Sequence, residues 1–286
     1  MAQIVMIKWG DRYPAAYVNG LARAVREHSR TAHRLICYTD DPTDIQEGVD
    51  TRPFPDLGTP LSELTARTGS LPKMSMFLRG QLDPGEPALY LDLDTSIHGD
   101  VERLADLVRR TGAVYLLQRH VVPYWRVRGL VNRVLPHRYY LGNTAIMAFR
   151  PQDTWQIGEL FLTSYRDWAA DPNSVDPFVA RLFEGGNESI VSAMVRDRSR
   201  VFPRNLAVKF TQEYMAPTAA WAEWKTAQPG TQVRRREQVA VTYHGDPLKP
   251  EILARMEEGQ RLSFKHHHTV WRFPKISAYW RDVLGE

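Results

Sequence analysis

The segment Ala88-Leu89-Tyr90-Leu91-Asp92-Leu93-Asp94 is an apolar run that ends on two aspartates one residue apart. Along a strand, residues i and i+2 share a face, so Asp92 and Asp94 can aim both carboxylates at one point where the strand leaves its sheet. Two carboxylates held this way repel each other unless a cation sits between them. A hard divalent ion, Mg²⁺ or Mn²⁺, suits oxygen donors and keeps positions open for phosphate oxygens. The pair therefore predicts a metal–phosphate site. The alternative is a strand end whose aspartates cap the next helix.

Other clusters carry less directed chemistry. Lys265-His266-His267-His268 has ligand-type side chains, but adjacent residues on a strand or helix point in different directions. It reads as a solvated segment or as a basic loop facing phosphate or an acceptor. Arg234-Arg235-Arg236 with Lys225 reads as a solvated face, an anion-holding patch or a membrane-contacting one. The single cysteine, Cys37, sits inside Leu35-Ile36-Cys37-Tyr38, so no internal disulfide can form and a buried strand thiol is expected.

The elements that must position these residues alternate in type. Strand signals at Gln3 to Lys8, Arg34 to Thr39, Asp50 to Phe54, Ala88 to Leu91 and Ala113 to Gln118 are separated by helix signals. Pro14 to His28 places Tyr17, Leu21, Ala24 and Val25 on one helical face, and Val101 to Arg110 reads as a second helix. Pro72 to Leu82 carries Met74, Phe77 and Leu78 at helical spacing. Such alternation implies a largely parallel sheet with helices on both faces, which binds ligands beyond the carboxyl ends of its strands. Lys8-Trp9-Gly10-Asp11, Thr39-Asp40-Asp41 and Asp92-Leu93-Asp94 all fall on that rim. Further on, Asn143 to Phe149 is a strand, Gln152 to Trp168 a helix, Asn187 to Val195 a helix and Gln238 to Tyr243 a strand. The rest reads as an extension folded back over the rim. One domain is expected: a regular α/β half at 1–118, a less regular half at 119–250, and a C-terminal extension at 251–286.

Composition narrows the class. A chain of 286 residues, 43% hydrophobic and 24% charged, can bury a substantial core and is neither disordered nor fibrous. The apolar stretch before Lys8 is too short for a signal peptide, and no run approaches the ~18 residues of a membrane span, so a cytoplasmic protein is expected. A net charge of +4 is too small to imply nucleic acid and suits an anionic small substrate or anionic lipid headgroups.

Taken together, the α/β first half, the DxD, the Asn-led strand, the polar pair opening a helix and the late His-Gly with Lys-Pro resemble the GT-A glycosyltransferases, in particular the retaining families 8 and 32. The resemblance spans most of residues 3 to 250. It implies that Asp92 and Asp94 hold a divalent metal against the diphosphate of a sugar nucleotide, with His244 completing the protein ligands. The family 8 pattern has glycine three residues after that histidine and lysine three further on; here Gly245 follows directly and Lys249 comes five after His244. Lys249 is assigned to the diphosphate on that basis, and Lys73 matches the basic residue that braces the diphosphate or the aspartates. Trp9, Gly10, Tyr13, Asp40 and Asp41 stand where the family binds base and ribose. Asn143 matches an asparagine that reaches the donor sugar or acceptor, with Thr144-Ala145 in place of Ala-Gly. Asn187 and Glu188 occupy the place of the family's Asp-Gln, which puts Glu188 beside the donor sugar. The Arg-rich stretch from Val121 to His137, with Tyr124 and Trp125, falls where such enzymes carry acceptor-binding insertions. The implied activity is metal-dependent transfer from a nucleotide-sugar donor, UDP-sugar by resemblance, to a glycan or glycolipid hydroxyl with retention of configuration, with contact at an anionic membrane face.

Two other readings remain at the level of sequence. Asp92-Leu93-Asp94-Thr95-Ser96 mimics the nucleophile motif of haloacid-dehalogenase-type phosphatases, although that motif normally follows the first strand. A non-catalytic sugar-nucleotide or glycan-binding module is the other.

Overall fold

The computed structural model describes residues 1–66, 70–119 and 139–286. Among these, seven strands form one sheet: β1 (Gln3–Lys8), β2 (Arg34–Thr39), β3 (Asp50–Arg52), β4 (Ala88–Leu91), β6 (Val114–Leu117), β7 (Asn143–Phe149) and β8 (Ser199–Val201), in the order β3-β2-β1-β4-β7-β6-β8. β7 runs antiparallel to both its neighbours, and the other six share one direction. β4 and β6 are buried along their whole length, which is why they read as unbroken apolar runs; β1 is equally buried but is apolar only from Ile4 to Ile7, between Gln3 and Lys8.

The direction of β7 matters for the site. Its register with β4 runs from Ala88↔Phe149 to Leu91↔Ile146, and the Asp92 amide continues it by donating to the Ala145 carbonyl at 2.8 Å. The start of β7, Asn143, is thereby delivered to the end of β4. A register shift between Leu116 and Leu117 then brings Leu117 of β6 beside Asn143 as well.

Helices cover both faces. On one side α1 (Ala15–His28) and α3 (Glu102–Thr111) share a core with α11 (Pro274–Leu284); Tyr17, Leu21, Ala24 and Val25 are buried in it, as their spacing predicts. On the other, α4 (Trp155–Ala170), α5 (Pro177–Glu184) and α6 (Gly186–Met194) bury Ile157, Phe161, Phe183 and Ile190. The short helix α2 (Leu61–Ala66) precedes the segment expected to be a helix from Pro72, which is instead a 3₁₀ stretch, Leu71–Phe77, with all seven residues buried. An α-helix would present a solvent stripe, and this segment has none because α4 presses on it: a Cβ on Gly158 would come within 2.7 Å of the Phe77 carbonyl. The helix expected from Gln152 likewise opens with a 3₁₀ turn, Pro151–Asp153, before α4.

A smaller sheet, β5 (Thr95–Ile97), β10 (Ala240–Thr242) and β9 (Ala207–Lys209), continues directly from the Asp92–Asp94 segment. Around it lie α7 (Phe210–Glu213), α8 (Ala219–Ala227), α9 (Pro229–Arg236), α10 (Pro250–Ala254) and the hairpin β11 (Arg261–Phe264) and β12 (His267–Val270). The C-terminal extension lies over the rim only in part. Its hairpin reaches the rim, whereas α11 closes the main core, with the Trp280 ring 6.0 Å from that of Tyr17. No helix among the described residues is long and apolar enough to cross a membrane. Cys37 is buried, and burial pushes its thiol up to about 12, which removes it as a nucleophile at neutral pH.

Candidate active site

The rim is built outward from β4. Alternation along the strand puts Tyr90, Asp92 and Asp94 on one side, and the Tyr90 hydroxyl donates to Asp92 Oδ1 at 2.5 Å. The same oxygen takes an ion pair from Lys73 Nζ at 2.8 Å. Lys73 is 4% exposed, comes from the 3₁₀ stretch and lies over the Tyr90 ring at 4.8 Å. Asp94 accepts from the Tyr13 hydroxyl at 3.2 Å. Among the described residues it has no cation at ion-pair distance. Burial first and the neighbouring Asp92 charge second push the Asp94 carboxyl up to about 7, with Lys73 acting in the opposite sense. Arg12, which lines the same cavity, acts in the same sense as Lys73 but forms no ion pair with Asp94.

His244 reaches the same place through the small sheet. The Tyr243 amide donates to the Asp94 carbonyl at 3.1 Å, one step beyond the β5–β10 pair Thr242↔Thr95. The imidazole is open to solvent on one side, yet the protein packed around it, and then the charges of Lys209 and Lys265, push its pKa down to about 4. It is neutral at pH 7, the form that ligates metals. Gly245 must be glycine: its φ is +93°, and a Cβ would lie 2.3 Å from the Phe264 ring. That ring also stands edge-on to His244 at 5.4 Å, fixing the hairpin against the rim. A cavity of about 350 Å³ results, lined by Trp9, Arg12, Tyr13, Ser70, Asp92, Asp94 and His244 among others.

The loops after β1 and β2 form the next part of the wall. The Gly10 amide donates to Asp40 Oδ2 at 3.0 Å. Buried Lys8 donates to the Asp41 carbonyl at 3.3 Å and lies 3.8 Å from its carboxylate, so the two loops are tied together. Hydrogen bonds from Thr43 hold the exposed Asp41 carboxyl below the usual carboxylate range.

The start of β7 carries a second polar cluster. Glu188, in the first turn of α6, accepts from Asn143 Nδ2 at 2.6 Å on one oxygen and from Arg119 Nη1 at 2.7 Å on the other. Lys209 Nζ donates to the Arg119 carbonyl at 3.1 Å, and Gln212 Nε2 to the Gln118 carbonyl at 2.7 Å, so the end of β6 is pinned from below. Asn187 is buried with its amide on Thr144 Oγ1 at 3.0 Å. It fastens α6 to β7 in this structure.

The structure brings Asp92, Asp94, His244, Trp9 and Tyr13 to one cavity, with Lys73 directly behind it, and holds Asn143 and Glu188 together. It does not bring Lys249 there: its Nζ pairs with Asp246 at 3.2 Å, outside the cavity lining. Val121 to His137 lies outside the described residues. In the basic run, Arg234 and Arg235 turn inward onto Glu213, which is fully buried and also paired with Arg204. Lys265 and His266 make the β11–β12 turn, and His268 bonds Ser263 at 2.8 Å, so the four residues do not converge. Sequence reasoning missed Tyr90, Arg119 and Lys209. The alternation that pairs Asp92 with Asp94 extends to Tyr90. No local signal marks Arg119 or Lys209.

No protein-family model matches the chain, and no curated protein matches it by sequence. Solved structures do. The galactosyltransferase LgtC in complex with donor and acceptor sugar analogues superposes with a TM-score of 0.53 at 16% identity, over 87% of this chain and 88% of that one. The glycosyltransferase GlyE of Streptococcus pneumoniae gives 0.55 at 12% identity, over 99% of this chain and 61% of that one. The bifunctional glycosyltransferase WbbM gives 0.53 at 14%, over 87% and 46%. The chain has the GT-A glycosyltransferase fold. In this GT-A chain the DxD-like pair ends the fourth strand, not the first as the phosphatase reading needs, and Ser96 is fully buried, 2.9 Å from the Tyr243 hydroxyl.

Whether the GT-A rim fits a divalent ion can be tested on its own atoms. Among the described residues no three His, Cys, Asp or Glu side chains stand close enough to cage a metal. Burial and the neighbouring Asp92 charge raise Asp94, and an added cation offsets both; Mg²⁺-type sites are commonly held by one or two carboxylates with substrate phosphates completing the shell. The residues fit a metal that arrives with its phosphate ligand.

Proposed function

We propose that the protein is a metal-dependent glycosyltransferase that moves a sugar from a nucleotide-sugar donor, a UDP-sugar, to a hydroxyl of a glycan or glycolipid with retention of configuration. The observation that carries this reading is the convergence, on one rim of a GT-A fold, of the Asp92–Asp94 pair, neutral His244 and the Asn143–Glu188–Arg119 cluster. Asp92 and Asp94 would hold Mn²⁺ or Mg²⁺ together with the donor's phosphate oxygens, with His244, which lines the same cavity, as the further ligand that the resemblance implies; the metal's contribution when bound is to neutralise the diphosphate leaving group. Trp9, Gly10, Tyr13, Asp40 and Asp41 take base and ribose: Trp9 offers a stacking face, and the Gly10–Asp40 bond fixes the loop beside it. Lys73 holds Asp92 in place and adds positive charge behind the diphosphate.

At the reacting carbon the bond from C1 to the phosphate oxygen breaks with its electron pair leaving on UDP. The acceptor oxygen bonds C1 on the same face and gives its proton to the departing phosphate. Positive charge develops on the sugar ring, and Glu188 would stabilise it electrostatically. With both oxygens occupied by Asn143 and Arg119, Glu188 suits a fixed charge better than a nucleophile. Asn187 supports that geometry through Thr144. The acceptor is a sugar hydroxyl and not nucleic acid. The place of work is the cytoplasm, at an anionic membrane face when the acceptor is a glycolipid.

The test is UDP release and sugar transfer from a panel of nucleotide sugars with Mn²⁺, with chelator, and in Asp94→Asn. Metal-dependent turnover of one donor, abolished in the variant, supports the reading. Nucleotide binding without turnover across a broad acceptor panel favours a binding module, and no nucleotide binding at all overturns it.

A further inference from the structure

A second cavity, of about 640 Å³, opens on the small sheet away from the rim. β5 leads from Asp94 at one end to His98 at the other, four residues and so about 13 Å at ~3.3 Å per residue. Four cations line this cavity, Arg235, Arg236, Arg272 and Lys275, and among the described residues that line it there is no carboxylate. A concave surface lined by one sign of charge focuses potential and concentrates counter-ions.

The four cations are not equivalent. Arg272 is balanced by Glu258 at 3.0 Å and Glu223 at 3.5 Å. Arg235 is fixed between the rings of Tyr214 and Phe273, with its guanidinium donating to Thr226 and to the Glu213 carbonyl. Arg236 and Lys275 are exposed and, among the described residues, form no ion pair. They stand on separate elements, α9 and the first turn of α11. The ring of Tyr279 and the imidazole of His98, 5.7 Å apart, line the same cavity, with His98 Nε2 bonded to Ser96 Oγ at 2.7 Å.

We propose that this cavity binds an anionic oligosaccharide, a short run of sugar rings carrying carboxylate groups. Aromatic rings offer faces to sugar rings, Gln232 offers hydrogen bonds, and two cations without ion pairs on separate helices suit charges spaced along a chain. The volume lies within the ~300–1,000 Å³ of small-molecule sites. A flat membrane fits less well, because the cations line a concavity. The exposed Trp221 and Trp224 point ~140° and ~160° around α8 from Thr226, which faces it. The choice of a saccharide rests on the transferase reading; the cationic cavity does not.

The experiment is calorimetric titration of trigalacturonic acid and of neutral maltotriose into the full chain and into the Arg236→Glu/Lys275→Glu double variant, with UDP and Mn²⁺ titrated into both. The acidic trisaccharide is expected to bind, to bind less tightly as salt is raised, and to lose about tenfold or more in affinity in the variant, about 1.4 kcal/mol. Nucleotide binding is expected to be equal in the two proteins. Equal binding of the acidic and neutral sugars, no binding of the acidic one, or binding indifferent to the double reversal would each overturn the proposal. So would loss, in the variant, of binding to phosphatidylglycerol vesicles by a protein that ignores the sugar. Absence of UDP binding in both proteins would count against the transferase reading alone.

Discussion

Two polar clusters share the rim, and they are balanced differently. At the start of β7, Glu188 has a guanidinium on one oxygen and an amide on the other, and the strand end carrying Arg119 is itself pinned by Lys209 and Gln212. At the end of β4, Lys73 answers Asp92, and Asp94 has a tyrosine hydroxyl. The first cluster is complete before any ligand arrives. In the second, no cation among the described residues stands at ion-pair distance from Asp94, and burial together with the Asp92 charge raises that carboxyl to about 7. Preorganisation is thus placed where charge would develop during reaction, and incompleteness where a cation and a diphosphate would enter. The comparison predicts that changes at the β4 end act through metal and nucleotide, and changes at the β7 end through turnover alone.

The largest effect is expected from Asp94→Asn. Losing that carboxylate should lower transfer by about 10³-fold, ~4 kcal/mol of transition-state stabilisation, and remove the Mn²⁺-dependent part of the nucleotide-induced thermal shift. Glu188→Gln should come next, lowering kcat about 10²-fold. Its UDP affinity in Mn²⁺ should match the parent, because the amide keeps the shape and one acceptor while losing the charge. Equal losses of nucleotide affinity in both variants would erase the distinction between the clusters.

The raised Asp94 carboxyl sets a pH dependence whose sign follows from linkage. Its folded value, about 7, lies above the ordinary 3.8, so without metal the native state favours the protonated acid. Asp94's contribution to stability is full below the ordinary value and is lost as pH rises from about 4 through 7. A metal must displace that proton. Apparent Mn²⁺ affinity should therefore rise by up to about tenfold per pH unit below 7 and level off above it. A calorimetric series from pH 5.5 to 8 with buffers of differing ionisation heat would check this through proton release. A flat profile would mean that Asp94 is already ionised.

Lys73→Met sharpens the contrast by worsening the imbalance. Lys73 is buried, whereas Asp92 is 26% exposed, so the loss should fall below that of a fully buried pair, about 2 kcal/mol in chemical denaturation. Mn²⁺ with UDP should recover part of it. The same substitution should leave Glu188→Gln effects additive, since the two clusters have separate partners.

What the chain discloses before folding follows the same division. β4, β6 and the centre of β1 from Ile4 to Ile7 are buried and stand out as continuous apolar runs, and the rim residues follow from where those runs stop. Asp92, Asp94 and Tyr90 belong together by alternation alone. The Glu188 cluster is different: Asn143 and Glu188 are distant in sequence, and Arg119 reaches them only because the β6–β7 register shifts at Leu116/Leu117. No periodicity reports a shift of that kind. The 3₁₀ stretch around Lys73 imitates an α-helix in sequence because Met74 and Phe77 have helical spacing in a segment with no solvent face. The core role of α11 has no local signal because Trp280 and Val283 find their partners on α1, at the opposite end of the chain.

The smallest effect is expected at Lys249, and it tests the resemblance most closely. The family pattern places a lysine six residues after the histidine, on a diphosphate; here it comes five after, and a 3₁₀ turn at Asp246–Leu248 precedes it, with its Nζ paired to Asp246. Both partners are largely exposed, so the pair contributes little to stability. Lys249→Ala should leave melting unchanged and alter UDP affinity by less than about twofold, whereas Lys73→Met should weaken it clearly. A larger loss in Lys249→Ala, of about tenfold, would mean that the loop after Gly245 rearranges when nucleotide binds and carries Lys249 onto a phosphate. The β4 end would then be completed by protein as well as by metal, and its incompleteness would belong to the ligand-free state alone.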